Sequence, residues 1–139
     1  MRNVMTSTFS DRMGGRATTQ QVAQLGAWLD ALPAPSGEVL DERAVERGRG
    51  LFERTAGCAT CHAGDRLTDD RNADVGTGGA FQVPALRAVA LRAPYFHDGC
   101  APTLESVLDG ACDTEGRHGH AGALTSAQRA DLLAYLRSL

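Results

Sequence analysis

Two cysteines and a histidine stand together in the segment Cys58-Ala59-Thr60-Cys61-His62. The pattern Cys-x-x-Cys-His is the attachment sequence of haem c, because two thiols three residues apart on one helical turn can reach the two vinyl groups of a porphyrin. The adjacent imidazole then falls under the iron as its proximal ligand. The spacing therefore predicts one covalently attached haem c and its iron, held by Cys58, Cys61 and His62.

Two other kinds of site use the same residue types. A thioredoxin-like dithiol follows a strand in a βαβ unit, and no strand pattern precedes Cys58. A structural zinc site needs a second pair of cysteine or histidine ligands, which His118 and His120 could supply. The glycine-rich surroundings of the motif favour haem, and zinc and the redox dithiol stay as the alternatives.

A helix is expected to lead into the motif. Asp41 is a suitable N-cap, and apolar or small residues recur at helical spacing as far as Gly57. These residues are Val45, Gly48, Leu51 and Phe52. The following residues 63–80 are rich in Gly, Asp, Thr and Asn and show neither a helical period nor alternation, which predicts a long loop. Loops of this length in compact domains are usually functional.

The later part of the chain carries further helix signals. Prolines predict short helices at residues 86–91 and 102–108. Thr125 and Gln128 form a capping box in front of a final apolar-patterned helix that ends at Leu139. No β pattern is visible, so the predicted fold class is all-α, with long loops around one covalently attached haem.

A proline-containing segment, residues 33–37, marks the strongest internal boundary. Before it, Thr18 or Thr19 caps a helix with apolar residues at helical spacing. A chain of 139 residues is typical of one domain, or of one domain with an appendage. We therefore expect an N-terminal segment at 1–37, made of a helix and a proline-containing linker, and a monohaem domain at 38–139.

Composition and charge exclude several classes of partner. The formal net charge is −3 and the pI is near 5.7, with no run of like charge, which argues against nucleic acid. No stretch approaches the ~20 apolar residues that span a bilayer. Aromatic residues make up only 5% of the chain, so we expect a prosthetic group to fill part of the core.

Residues 41–139 resemble a known family. The approach to the haem motif and the last helix resemble the crossing helices of the cytochrome c fold, with Phe52 and Tyr135 as their aromatic contact. The segments VGTGGAFQVPALR (75–87) and APYFHDG (93–99) are more specific. They are similar to the C-terminal haem domain of bacterial dihaem cytochrome c peroxidases and of relatives that mature tryptophan-derived quinone cofactors.

This resemblance implies further roles. It implies that the present haem is the high-potential, electron-accepting one, and that a peroxide-reacting haem lies in a preceding domain, of which residues 1–32 are the closing segment. It also implies that Arg87 lies near a haem propionate, where a guanidinium suits a carboxylate. His97 is expected to hydrogen-bond near the haem or to hold the turn with Asp98, rather than to bind iron.

The sixth ligand of the iron departs from the family pattern. The family usually provides a methionine, but the chain has methionine only at positions 1, 5 and 13, all before His62. His118, in the segment before the last helix, is the preferred ligand, with His120 second and Met13 as a further alternative. Two imidazoles would lower the reduction potential relative to imidazole and thioether, because a thioether stabilises ferrous iron more.

Cys100 and Cys112 bracket the short helix predicted at 102–108. Haem c is attached outside the cytosol, where paired thiols oxidise, so we expect a disulfide between them, with two free buried thiols as the alternative. The same reasoning predicts a periplasmic or otherwise extracytoplasmic protein. Because the first residues lack the apolar region of a signal peptide, we expect a truncated or re-engineered start.

Three functions are compatible with these patterns. The leading hypothesis is electron transfer by an isolated haem domain that cycles between Fe(III) and Fe(II), without catalysis of its own. Its partner would be a small redox protein or another haem domain. The second is the electron-relay fragment of a dihaem, peroxidase-like oxidoreductase. The third is a haem sensor with an open sixth position.

Overall fold

A computed structural model describes residues 7–33, 35–113 and 115–139. Its internal contacts divide the chain into two compact units, Met1–Ala34 and Pro35–Leu139. Met1, Met5 and the predicted linker residue Ala34 lie outside the described residues. None of the described helices is long and apolar enough to cross a membrane.

The first unit contains helix α1 (Thr19–Ala31), preceded by a π-helical turn at Thr8–Arg12. Thr18 caps α1 in a capping box with Gln21: its Oγ1 accepts the Gln21 N–H at 3.2 Å, and the Gln21 side chain accepts the Thr18 N–H at 2.9 Å. The predicted cap and helix are confirmed. Val22 is the buried residue of α1, whereas Trp28 is 59% exposed.

Helix α2 (Glu42–Gly50) begins the second unit and leads towards the motif. The Asp41 carboxylate caps it by accepting the N–H groups of Arg43 and Ala44 at 2.9 and 3.2 Å. The helix continues as a π-helical turn at Leu51–Thr55. The predicted N-cap and helix are therefore confirmed, with the last turn widened.

The sequence predicted a loop at 63–80 and no strands, but the structure has a short β-hairpin here. Strand β1 (Asn72–Asp74) pairs antiparallel with β2 (Ala80–Gln82). Each strand has only three residues, most of them exposed, so no alternating apolar pattern develops in the sequence. Backbone pairing creates this hairpin, and the fold is a helical domain with little sheet.

Two short helices were predicted after the hairpin. Helix α3 (Leu104–Leu108) is confirmed, and Thr103 caps it together with Ser106. The helix predicted at 86–91 is reduced to a 3₁₀ turn at Val89–Leu91. Ala88, immediately before that turn, has a φ of +52°, a left-handed conformation that interrupts a right-handed helix.

The last helix, α4 (Ser126–Ser138), begins with the predicted capping box, in which Thr125 Oγ1 accepts the Gln128 N–H at 3.3 Å. It crosses α2 at Gly48, where a Cβ would lie 2.7 Å from the Asp131 carbonyl carbon. A side chain larger than hydrogen would therefore force the two backbones apart. This crossing brings the helix before the motif against the end of the chain.

The core of the second unit surrounds this crossing. Phe52 and Leu132 are fully buried side chains, and Phe52 meets Tyr135 edge to face with ring centroids 5.2 Å apart, which confirms the expected aromatic contact. The buried cluster comprises Phe52, Ala56, Val89, Leu104, Leu108, Ala121, Leu124, Leu132, Tyr135 and Leu136. Cys58 and Ala59 pack against it, so the core directly supports the motif.

Candidate haem site

The Cys-x-x-Cys-His segment folds as one tight turn. Gly57 has a φ of +71°, which ends the preceding helical run, and a 3₁₀ turn follows at Cys58–Thr60. The Cys61 and His62 N–H groups both donate to the Cys58 carbonyl, at 3.3 and 2.9 Å. Cys58 and Cys61 are half-buried and carry free thiols. Both thiols and the imidazole thus come from a single turn.

The surroundings of Cys58 do not suit a redox dithiol. Burial raises the pKa of Cys58 to about 11, so its thiol stays protonated at neutral pH. A reactive dithiol needs the opposite, a lowered pKa that yields the thiolate. Among the described residues the first strand, β1, also comes after the motif instead of before it.

His62 is oriented by its own loop. Its Nδ1 lies 3.2 Å from the Leu67 carbonyl, an acceptor, so Nδ1 carries the proton and Nε2 is left unprotonated. Leu67 reaches this position in a left-handed conformation, with a φ of +53°. Burial lowers the pKa of His62, which keeps the ring neutral. A neutral imidazole is the form that binds a metal.

His118 comes from the segment before α4 and faces His62. The centroids of the two imidazoles are 6.4 Å apart, and their planes are inclined by 77°. Burial, and secondarily the nearby His62, lower the pKa of His118, so this ring is also kept neutral. The ring of Phe96 packs edge-on against His118, with centroids 5.3 Å apart.

The spacing of the two imidazoles fits an iron ion between them. Two metal–nitrogen bonds of about 2.0 Å, each followed by about 1.2 Å from nitrogen to ring centre, add to about 6.4 Å. His62 and His118 have this centroid separation. With two free thiols on the same turn as His62, the residues present fit a haem c with two axial imidazoles.

The segment that carries His118 is held by Asp113, a residue that the sequence analysis missed. Its carboxylate accepts the His118 N–H at 2.7 Å and the Arg117 N–H at 2.9 Å. Burial opposes ionisation of Asp113, but these backbone hydrogen bonds outweigh it and hold its pKa below the ordinary value. In the sequence, an aspartate closely followed by Gly116 is typical of such a turn, and this pattern could have pointed to Asp113.

The other two candidates for the sixth ligand are exposed. His120 is exposed, its N–H donates to the Ala56 carbonyl at 2.9 Å, and its ring packs over Gly57. Met13 belongs to the first unit and is 68% exposed. In the parts of the chain that the structure describes, no three His, Cys, Asp or Glu side chains are grouped to hold a metal ion, so the zinc alternative finds no support there.

Two further predicted site residues are exposed. Arg87 donates through Nε to the Asp65 carbonyl at 2.8 Å. His97 stacks on Phe81, with ring centroids 3.8 Å apart. The turn after His97 is held by Asp98, whose Oδ1 accepts the Cys100 N–H at 3.1 Å.

Cys100 and Cys112 are joined by a disulfide, with an S–S distance of 2.08 Å and Cα atoms 6.2 Å apart. The bridge closes the segment that contains α3. Because Cys112 immediately precedes Asp113, the bridge also anchors one end of the segment that carries His118.

The family model for cytochrome c matches residues 45–139. The chain is 34% identical to the methylamine utilization protein MauG of Methylorubrum extorquens, over 70% of this chain and 35% of that protein. It is 32% identical to the cytochrome c peroxidase Ccp of Escherichia coli, over 90% of this chain and 32% of that protein. The chain thus spans about a third of the length of these curated relatives.

Solved structures show the same fold. Hydrazine synthase of Kuenenia stuttgartiensis superimposes with a TM-score of 0.77 at 21% identity, covering 98% of this chain and 60% of that one. A MauG-like protein associated with microbial copper homeostasis gives a TM-score of 0.72 at 22% identity, with 99% and 65% covered.

Proposed function

We propose that this chain, which belongs to the cytochrome c family of haem-binding electron-transfer domains, holds a single haem c with two axial histidines. Cys58 and Cys61 would form the thioethers, and His62 and His118 would bind the iron. The observation that carries this proposal is the 6.4 Å separation of the two facing imidazoles. When bound, haem c supplies reversible one-electron cycling between Fe(III) and Fe(II).

The residues around the site favour electron transfer over ligand sensing. The Leu67 carbonyl holds His62 in one tautomer, which keeps Nε2 available as a ligand. In this proposal His118 would occupy the position that an exogenous ligand needs, which favours electron transfer over a sensor with an open sixth site. Arg87, exposed beside the Asp65 carbonyl, is available to pair with a propionate. Two axial imidazoles favour a lower reduction potential than imidazole and thioether, which argues against a high-potential role for this haem.

Coexpression with a cytochrome c maturation system tests the covalent attachment. The protein should retain haem through denaturing electrophoresis, and the double substitution Cys58→Ala, Cys61→Ala should abolish this. Covalent haem in the double variant would overturn the attachment sites.

The ferric spectrum tests the axial ligands. His118→Ala should convert a low-spin spectrum to a high-spin one, because the sixth position opens. The matched control is His120→Ala, only two residues away but exposed, which should remain low-spin. If the control loses the low-spin spectrum and His118→Ala keeps it, the ligand assignment is wrong.

A second candidate function is favoured by the length of the relatives. The chain spans 35% of MauG from Methylorubrum extorquens and 51% of MauG from Methylophilus methylotrophus. The domain would then relay electrons to a second haem domain of a longer, peroxidase-like oxidoreductase. An upstream coding sequence with another Cys-x-x-Cys-His motif would support it, and a stop codon directly upstream would count against it.

The proposed location is the periplasm or another extracytoplasmic compartment. Thioether attachment of haem c takes place there, and an oxidising compartment suits the bond between Cys100 and Cys112. Fractionation of the native host should find the haem protein outside the cytoplasm. Recovery of the mature haem protein in the cytoplasm would contradict this location.

A further inference from the structure

One carboxylate organises the backbone of the segment that carries His118. Asp113 Oδ1 accepts the N–H groups of Glu115 and Arg117, at 3.2 and 2.9 Å, and Oδ2 accepts the N–H of His118 at 2.7 Å. The bond to His118 acts on the residue whose ring faces His62. The position of this ring therefore depends directly on the carboxylate.

The β-hairpin packs against the same carboxylate. A Cβ on Gly76 would lie 2.8 Å from Asp113 Oδ1, so the close approach requires a glycine there, and Gly76 has a φ of +80°. Asp74 Oδ1 accepts the Gly76 N–H at 3.0 Å, and Asp74 Oδ2 pairs with the Arg117 guanidinium at 2.7 Å. The hairpin thus holds the His118 segment through both the carboxylate and the arginine.

We propose that Asp113 is the positioning residue for His118 and sets how firmly His118 occupies the sixth coordination position. This inference rests on the proposed function, in which His118 is an axial ligand. Removing the carboxylate releases three backbone N–H groups at once, and the segment then samples conformations in which His118 is displaced. The apparent affinity for an added ligand rises in proportion to the fraction of protein with an open sixth position.

The test is the binding of imidazole to the ferric haem-loaded protein, followed by absorbance. We expect Asp113→Ala to bind imidazole about tenfold more tightly than the wild type or better, because several hydrogen bonds to a charged acceptor are lost. Asp113→Asn, with one acceptor oxygen left, should fall between the two. It also provides a milder variant if Asp113→Ala does not fold.

The matched control is Asp41→Ala. Asp41 also accepts backbone N–H groups, two of them at the start of α2, so its loss removes hydrogen bonds of the same kind without touching the His118 segment. Imidazole affinity in this control should equal that of the wild type. If Asp41→Ala increases the affinity as much as Asp113→Ala, Asp113 acts only through general stability and the proposal fails.

His118→Ala separates this proposal from the proposed function. It should bind imidazole most tightly of all, because no internal ligand competes. If His118→Ala does so but both Asp113 variants match the wild type, His118 remains the ligand and the positioning role is refuted. If His118→Ala itself binds no more tightly than the wild type, the ligand assignment fails and the positioning role falls with it.

Discussion

Gly48→Ala should destabilise the haem domain although alanine is the better helix former. An added Cβ would lie 2.7 Å from the Asp131 carbonyl carbon and 2.8 Å from Tyr135 Cβ, and closer still to the Asp131 oxygen. Ordinary contacts need about 3.5 Å, so α2 and α4 must separate by about 0.8 Å or more. Overpacking costs about 3 kcal/mol at the upper end of its range, and the helix-propensity gain offsets about 1 kcal/mol.

The net loss of about 2 kcal/mol corresponds to a fall in melting temperature of about 8 to 16 °C for a domain of this size. Thermal unfolding of the haem-loaded protein, followed by far-UV circular dichroism, measures it. Gly50→Ala is the matched control, because its Cβ would meet only the far end of the flexible Arg54 side chain. Equal melting temperatures for the two variants would refute the argument from the close helix crossing.

Two further predictions concern the disulfide and the ion pair between the crossing helices. The double substitution Cys100→Ser, Cys112→Ser should cost about 3 kcal/mol of unfolding free energy in urea, because a bridge across 12 residues restricts the unfolded chain; a loss near zero would contradict this. Hydrogen bonds from Arg47 lower the pKa of Asp131. The contribution of this ion pair to the free energy of unfolding is therefore complete above about pH 5 and is lost as the pH falls through the lowered pKa. The difference in unfolding free energy between wild type and Asp131→Asn should therefore shrink in acid, and a constant difference down to about pH 2 would oppose this reasoning.

Local signals predicted much of the fold. The caps at Thr18, Asp41 and Thr125 all lie where the sequence indicated them, because a capping side chain bonds to backbone only two or three residues away. The hairpin could not be predicted in this way, since its strands are short and mostly exposed, and the residues that tie it down, such as Arg117, lie far along the chain. The helix expected at 86–91 is interrupted by the left-handed backbone of Ala88. This conformation cannot be anticipated from the sequence, because alanine rarely adopts it.

The sequence by itself determined the chemistry of the motif, since the spacing of Cys58, Cys61 and His62 within one turn is a local property. It also narrowed the candidates for a facing ligand to His118, His120 and Met13. Only the tertiary structure decided that His118 faces His62 while His120 packs over Gly57. The physical reason is distance along the chain: 56 residues separate the two facing imidazoles. Their approach depends on the helix crossing, the hairpin and the Asp113 carboxylate, none of which the local pattern contains.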